Sequence, residues 1–137
     1  MTTVLVAGTF DILHAGHEDF FRQAKTFGER LVVIVARDAT TLRIKGKAPT
    51  SNEVLRLDAI EHCPLVDKAR LGNPDDLFSS VVEEKPDVVC LGYDQHMDKK
   101  KLKDELAKRG LHVTLHRLSA FKPDVYKSSL LLKQTLQ

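Results

Sequence analysis

The chain has 137 residues, 42% of them hydrophobic and 29% charged, which is the balance of one soluble globular domain spanning 1–137. Lys plus Arg number 21 against 19 Asp plus Glu, and a net charge of +2 excludes a strongly basic nucleic-acid arm. A domain of this size buries about 68% of its unfolded surface without disulfide or metal staples, and no apolar run approaches the ~18 residues of a membrane span. The start, MTTVLVAGTFDILH, lacks the basic and long apolar regions of a signal peptide. Cys63 and Cys90 form neither a CxxC pair nor a disulfide framework, so a reducing cytoplasm is expected.

In chain order, Val4-Leu5-Val6-Ala7 is a short β-branched run closed by Gly8, which predicts a first strand. Residues 17–28 place Phe20, Phe21, Ala24 and Phe27 near a helical period and stop at Gly28. Leu31 to Ala36 is apolar on both faces, as in a central parallel strand. A polar stretch, 37–50, reads as a loop. Ser51-Asn52-Glu53 opens a helix through Ile60, and Leu65 to Leu71 reads as a weaker strand. Asn73-Pro74-Asp75-Asp76 predicts an N-cap with Pro at the first helical position and a helix to about Lys85. Val88 to Leu91 is a fourth strand with Cys90 buried in it. Lys99 to Arg109 is a charged helix closed by Gly110, and Leu111 to Leu115 a fifth strand. Ser128 or Ser129 caps a last helix.

This alternation predicts an α/β fold: a doubly wound, Rossmann-like, parallel five-stranded sheet with helices on both faces. Ligands of such sheets bind at the carboxyl ends of the strands, where strand order reverses. The residues with chemistry collect at those ends. After strand one comes Gly8-Thr9-Phe10-Asp11-Ile12-Leu13-His14-Ala15-Gly16-His17. Gly8 suits a sharp turn beneath a ligand, and Gly16 lets a phosphate approach the helix start closely. His14 and His17, one helical turn apart, can each donate a hydrogen bond to phosphate oxygens. His62, His96, His112 and His116 make no metal-ligand spacing.

GTFDILHAGH resembles the signature of the cytidylyltransferase-like nucleotidyltransferases, GTFDxxHxGH, and the resemblance covers nearly the whole chain. Class I aminoacyl-tRNA synthetases carry a related HIGH element, but on a much larger body than this sequence supplies. Val35-Ala36-Arg37-Asp38 and Leu91-Gly92-Tyr93-Asp94-Gln95 look most like archaeal FAD synthases, with glycerol-3-phosphate cytidylyltransferases next. The resemblance implies an HxGH-type nucleotidyltransferase in which an acceptor phosphate attacks the α-phosphate of a nucleoside triphosphate and pyrophosphate leaves. FMN and ATP giving FAD is the favoured pair. CTP with glycerol 3-phosphate or a sugar phosphate is the alternative.

Carried over residue by residue, His14 and His17 would touch the triphosphate and the transition state. Thr9 and Phe10 would line the nucleotide. Asp11 would help hold Mg²⁺ or orient a donor, or else serve only its own turn. Lys45, in the basic loop Arg43-Ile44-Lys45-Gly46-Lys47, would close over the departing pyrophosphate. Asp38 would bind the acceptor or a base, or cap a loop, and Arg56 would reach toward phosphate or acceptor. Gly92 would allow close backbone approach, with Asp94 and Gln95 reading a base or ribose. Tyr126, Ser128 and Ser129 match the last family motif, whose hydroxyls and helix start complete the phosphate pocket. This chain has no arginine in 118–137, so Lys122 or Lys127 must replace the one the family carries there. Mg²⁺ would arrive with the nucleotide. A homodimer is expected, with no nucleic-acid or membrane partner. A non-enzymatic nucleotide sensor is disfavoured because both histidines, the glycines and the basic loop are all present.

Overall fold

The densest β-branched runs form the middle of the sheet. β1 (Thr3–Gly8) and β2 (Arg30–Val35) pair in parallel over their full length, from Thr3 opposite Arg30 to Gly8 opposite Val35. Leu31 to Val35 are fully buried, as expected of a strand covered on both faces. β3 (Lys68–Leu71) joins the outer side of β2, β4 (Val88–Leu91) joins β1, and β5 (Thr114–Arg117) completes the edge. The computed structural model, which describes residues 1–11, 15–92 and 98–119, therefore holds a five-stranded parallel sheet in the order β3-β2-β1-β4-β5. This is the Rossmann-like fold that the βα alternation predicts.

Strand side chains alternate between two cores. Val4, Val6, Leu31, Val33, Val35, Val88 and Cys90 meet Phe21 and Ala24 of α1 (Ala15–Lys25) and, past α2 (Asp38–Lys45), Ile60 of α3 (Glu53–Glu61). Leu5, Val32, Ile34, Val89 and Leu91 meet Val81 of α4 (Leu77–Glu84) and Leu102 and Leu106 of α5 (Lys99–Lys108). Helices before the change of direction thus cover one face and helices after it the other. Desolvation pushes the buried Cys90 thiol up to about 12. Strand order reverses between β1 and β4, and a doubly wound sheet opens its ligand crevice there.

Several boundaries differ from the sequence reading. The stretch expected as a loop contains α2, whose C-terminal signals are Arg43 and Lys45 in the last turn and Gly46 at φ 79°. It lacks an apolar stripe: Thr40 and Thr41 are its buried residues, while Leu42 and Ile44 are exposed. α1 ends at Lys25, three residues before Gly28. Gly28 earns its place by packing, because a Cβ there would lie 2.6 Å from the Thr2 carbonyl oxygen. Asn73 does not cap α4. Its Oδ1 accepts the N–H groups of Asp75 and Asp76 at 2.9 and 3.2 Å in a local turn, and Asp76 caps instead, accepting from Phe78 at 3.1 Å.

β3 starts only at Lys68, after Val66 closes a turn onto the Cys63 carbonyl at 3.1 Å. β5 is displaced from 111–115 to Thr114–Arg117, because Gly110 at φ 85° and Leu111 are used to end α5. The helix expected from Ser128 or Ser129 lies outside the described residues.

Candidate active site

The end of β1 turns differently from the expectation. Gly8 closes the strand opposite Val35, and its backbone stays out of the left-handed region. The left-handed residue is Phe10, at φ 52°, a conformation that costs a bulky side chain free energy and persists only where surroundings impose it. The ring supplies one part of that constraint. It folds back under Gly8, where a Cβ would stand 3.0 Å from Phe10 Cζ, so Gly8 is needed for space rather than for its φ. Phe10 is only 8% exposed and packs on Phe21 with ring centroids 5.5 Å apart and on Phe20 at 6.4 Å. Its side chain belongs to the core, and only its backbone remains to line a ligand. His17, in the first turn of α1, sets its half-buried ring edge-on to Phe10 at 5.6 Å. Gly16 precedes it at the same helix start, which presents N–H groups and partial positive charge.

A polar network ties this turn to the ends of β2 and β3. Arg56, expected to reach toward a phosphate or acceptor, has no exposed side-chain surface. Its guanidinium donates to Thr9 O at 2.7 Å, Asp38 Oδ1 at 2.7 Å and Ser51 O at 2.9 Å. Asp38 opens α2 and is a partner in a reciprocal cap. Its N–H donates to Glu53 Oε1 at 3.0 Å while the Glu53 N–H donates to Asp38 Oδ2 at 3.2 Å. Glu53 also accepts from Arg37 Nη1 at 3.0 Å, and Arg37 Nε donates to the Gly72 carbonyl at 2.9 Å. The bond from Arg56 is the main reason that the Asp38 carboxyl sits below its ordinary range, against some desolvation.

Asp11 reaches beyond its own turn. Its carboxylate spans to the loop before α3, accepting the N–H of Thr50 at 2.7 Å and of Ser51 at 2.8 Å. Desolvation is the largest single influence on this carboxyl and pushes it up, but the Ser51 and Thr50 bonds with nearby Arg56 outweigh it, and the net shift is down. Thr9 adds a hydroxyl contact to Thr41 of α2 at 3.4 Å. Lys45 is the exposed last residue of α2 rather than part of a loop. Gly92 leaves β4 on the far side of the crevice, and its carbonyl accepts from Arg117 Nη1 at 3.0 Å. His14, Asp94, Gln95, Tyr126, Ser128 and Ser129 lie outside the described residues. Sequence reasoning missed Glu53 and Arg117 as members of this edge. For Glu53 a signal existed, an acidic residue directly after the Asn52 cap. Arg117 carried none.

The described site is therefore a strained turn and a helix start at the switch point, held by a buried cation. The cytidylyltransferase-like family profile matches residues 5–134, nearly the whole of this frame. This chain belongs to the cytidylyltransferase-like family. Among the relatives of this cytidylyltransferase-like chain, a FAD synthase of Archaeoglobus profundus is 46% identical over 94% of the chain and 82% of that protein. A FAD synthase of Thermoplasma volcanium is 39% identical over 100% of the chain and 96% of its own length. A crystal structure described as a lipopolysaccharide core biosynthesis protein from Thermoplasma volcanium is 42% identical, with a TM-score of 0.85 over 89% of this chain and 99% of that one. The resemblance read from GTFDILHAGH thus extends along the cytidylyltransferase-like fold. Among the described residues, no group of three His, Cys, Asp or Glu is placed to hold a metal ion.

Proposed function

We propose that this chain is an FMN adenylyltransferase, transferring AMP from ATP to FMN to form FAD and pyrophosphate. The observation that carries this reading is the identity of 39% to a FAD synthase along all of this chain and 96% of that protein. An oxygen of the FMN phosphate attacks the α-phosphorus of ATP. The bond from that phosphorus to the bridging oxygen of the β-phosphate breaks, and its electron pair leaves with pyrophosphate. No covalent enzyme intermediate is required, so catalysis consists of positioning and of stabilising developing negative charge.

In this reading His17, with His14, donates to phosphate oxygens at the start of α1, where Gly16 leaves room and the helix end favours an anion. The backbone at Gly8, Thr9 and Phe10 lines the nucleotide, and Gly92, Asp94 and Gln95 line it from β4. Lys45 follows the pyrophosphate, and Tyr126, Ser128 and Ser129 complete the phosphate pocket. Asp38 faces the acceptor with the part of its carboxylate that Arg56 and Glu53 leave open. Mg²⁺ enters as part of the substrate MgATP, and Asp11, each of whose oxygens accepts one backbone N–H and keeps a second lone pair, would help to hold it. This reading puts the whole reaction in one domain of a cytoplasmic homodimer. Free Cys63 and Cys90 fit a reducing compartment, and sedimentation velocity checks the dimer.

A product assay tests the reaction. Purified protein and Mg²⁺ are given ATP or CTP, each with FMN or glycerol 3-phosphate. FAD from ATP and FMN supports the reading. Pyrophosphate release from CTP and glycerol 3-phosphate alone overturns it in favour of a cytidylyltransferase.

A further inference from the structure

We infer that Arg56 is a positioning residue for nucleotidyl transfer, setting the direction of the Phe10 amide N–H by clamping the Thr9 carbonyl; this rests on the proposed function. The peptide linking Thr9 to Phe10 is planar and trans, so its C=O and N–H point in opposite directions. Arg56 Nη1 holds that carbonyl at 2.7 Å on the α3 side, which turns the Phe10 N–H away from α3. A flip of this peptide would reverse the N–H and release the φ of 52° at Phe10. Two anchors oppose the flip. The Phe10 ring is buried beneath Gly8, and the carbonyl is held by a charged donor.

The clamp itself is held rigidly. Arg56 Nε donates to the Ser51 carbonyl at 2.9 Å, and the Ser51 N–H returns to Asp11, the residue after Phe10, at 2.8 Å. The turn 9–11 and the segment 50–56 are therefore joined at both ends of the strained residue. Asp38 supplies the countercharge at 2.7 Å that lets a guanidinium remain buried. No lysine can replace this set, because an ammonium lacks the fixed planar fork that meets three acceptors at once. An arginine that contacted a phosphate directly would keep exposed donors, and this one has none. Its influence on the reaction passes through the groups it holds: the Thr9–Phe10 peptide at the nucleotide, and Asp38, whose loss of hold would show in KM for FMN.

Nuclear magnetic resonance of the full-length ¹⁵N-labelled protein, together with steady-state kinetics, tests this. In Arg56→Lys the Phe10 amide resonance is expected to move while those of Val81 and Leu106 stay. kcat for FAD formation is expected to fall about 100-fold, with KM for ATP and FMN changed by no more than about threefold. An unmoved Phe10 resonance in the folded variant overturns the inference. So does a rise in KM for one substrate at unchanged kcat, which would make Arg56 a ligand contact. If Arg56→Lys does not fold, Asp38→Asn serves, since it keeps an oxygen for the guanidinium and removes the countercharge. It is expected to move the Phe10 resonance and lower kcat about tenfold, and no change in either overturns the inference. If the wild-type protein forms no FAD, the functional reading fails by itself, because the Phe10 resonance is read without substrate.

Discussion

At the amino edge of the sheet, carboxylates accept N–H groups: Glu29 from Thr2 at 2.7 Å, Asp87 from Thr3 at 2.8 Å and Asp67 from Leu31 at 2.8 Å. At the carboxyl edge, arginines donate to carbonyls: Arg56 to Thr9 at 2.7 Å, Arg37 to Gly72 at 2.9 Å and Arg117 to Gly92 at 3.0 Å. The difference follows from strand direction. Parallel strands start together on N–H groups and end together on C=O groups, and buried backbone groups must find partners. Satisfying them places carboxylate acceptors at one edge and guanidinium donors at the other. The donor edge is also the one where a doubly wound sheet binds ligands. Asp11, Asp38 and Glu53 balance its three arginines in charge, so Arg37 and Arg56 act through backbone they hold rather than as free charges.

The contrast can be tested by perturbing one edge at a time. The largest effect is expected at the carboxyl edge, where His17→Ala should lower kcat for FAD formation about 100- to 1000-fold with the fold intact by circular dichroism. Full turnover by that variant would remove His17 from the chemistry. At the opposite edge, Gly28→Ala drives a Cβ to 2.6 Å from the Thr2 carbonyl oxygen and should cost about 2 kcal/mol in urea unfolding. kcat of the folded protein should not change, and a loss of kcat would mean that the edges are coupled.

Acid sensitivity comes next. The Leu31 N–H is the main cause that lowers the Asp67 carboxyl, as the bond from Arg56 is for Asp38. A carboxyl whose folded pKa is depressed stabilises the fold fully above its unfolded value of about 4 and loses that contribution as pH falls through the folded value. Stability should therefore fall below about pH 4, and either Asp67→Asn or Asp38→Asn should make the fall shallower. Only Asp38→Asn should also lower kcat at neutral pH. Equal kcat in the two variants would break the functional contrast between the edges. The smallest effect belongs to an exposed pair on α5. Lys108 lies 3.5 Å from Glu105, and Lys108→Ala should change stability by no more than about 0.5 kcal/mol and leave kcat alone.

Legibility varied with the range of the interactions involved. α3 is readable because Asn52 caps it from within, accepting the Leu55 N–H at 2.9 Å. β2 is readable because burial on both faces leaves an uninterrupted apolar run. α2 was missed because its inward residues are threonines and its apolar Leu42 and Ile44 point outward. The start of α4 was misplaced because an Asn three residues before an Asp offers two caps, and only the local turn at Asn73 decides between them. At the site, the motif located the switch-point turn. It could not tell that Phe10 is core, or that Arg56 is buried.

By itself, the sequence determined the number and order of the strands, the parallel sheet, the family, and the edge at which the chemistry gathers. These follow from short-range periodicity, from Gly and Pro punctuation, and from a contiguous motif. Only the tertiary structure decided which residue takes the strained turn, which groups the Arg56 charge meets and how the two edges satisfy their backbone. Those outcomes rest on partners such as Thr9 and Arg56, which meet only once the sheet has brought the end of β1 against the start of α3. A guanidinium has the same chemistry on any helix, and burial against a carbonyl rather than exposure to solvent makes it a clamp.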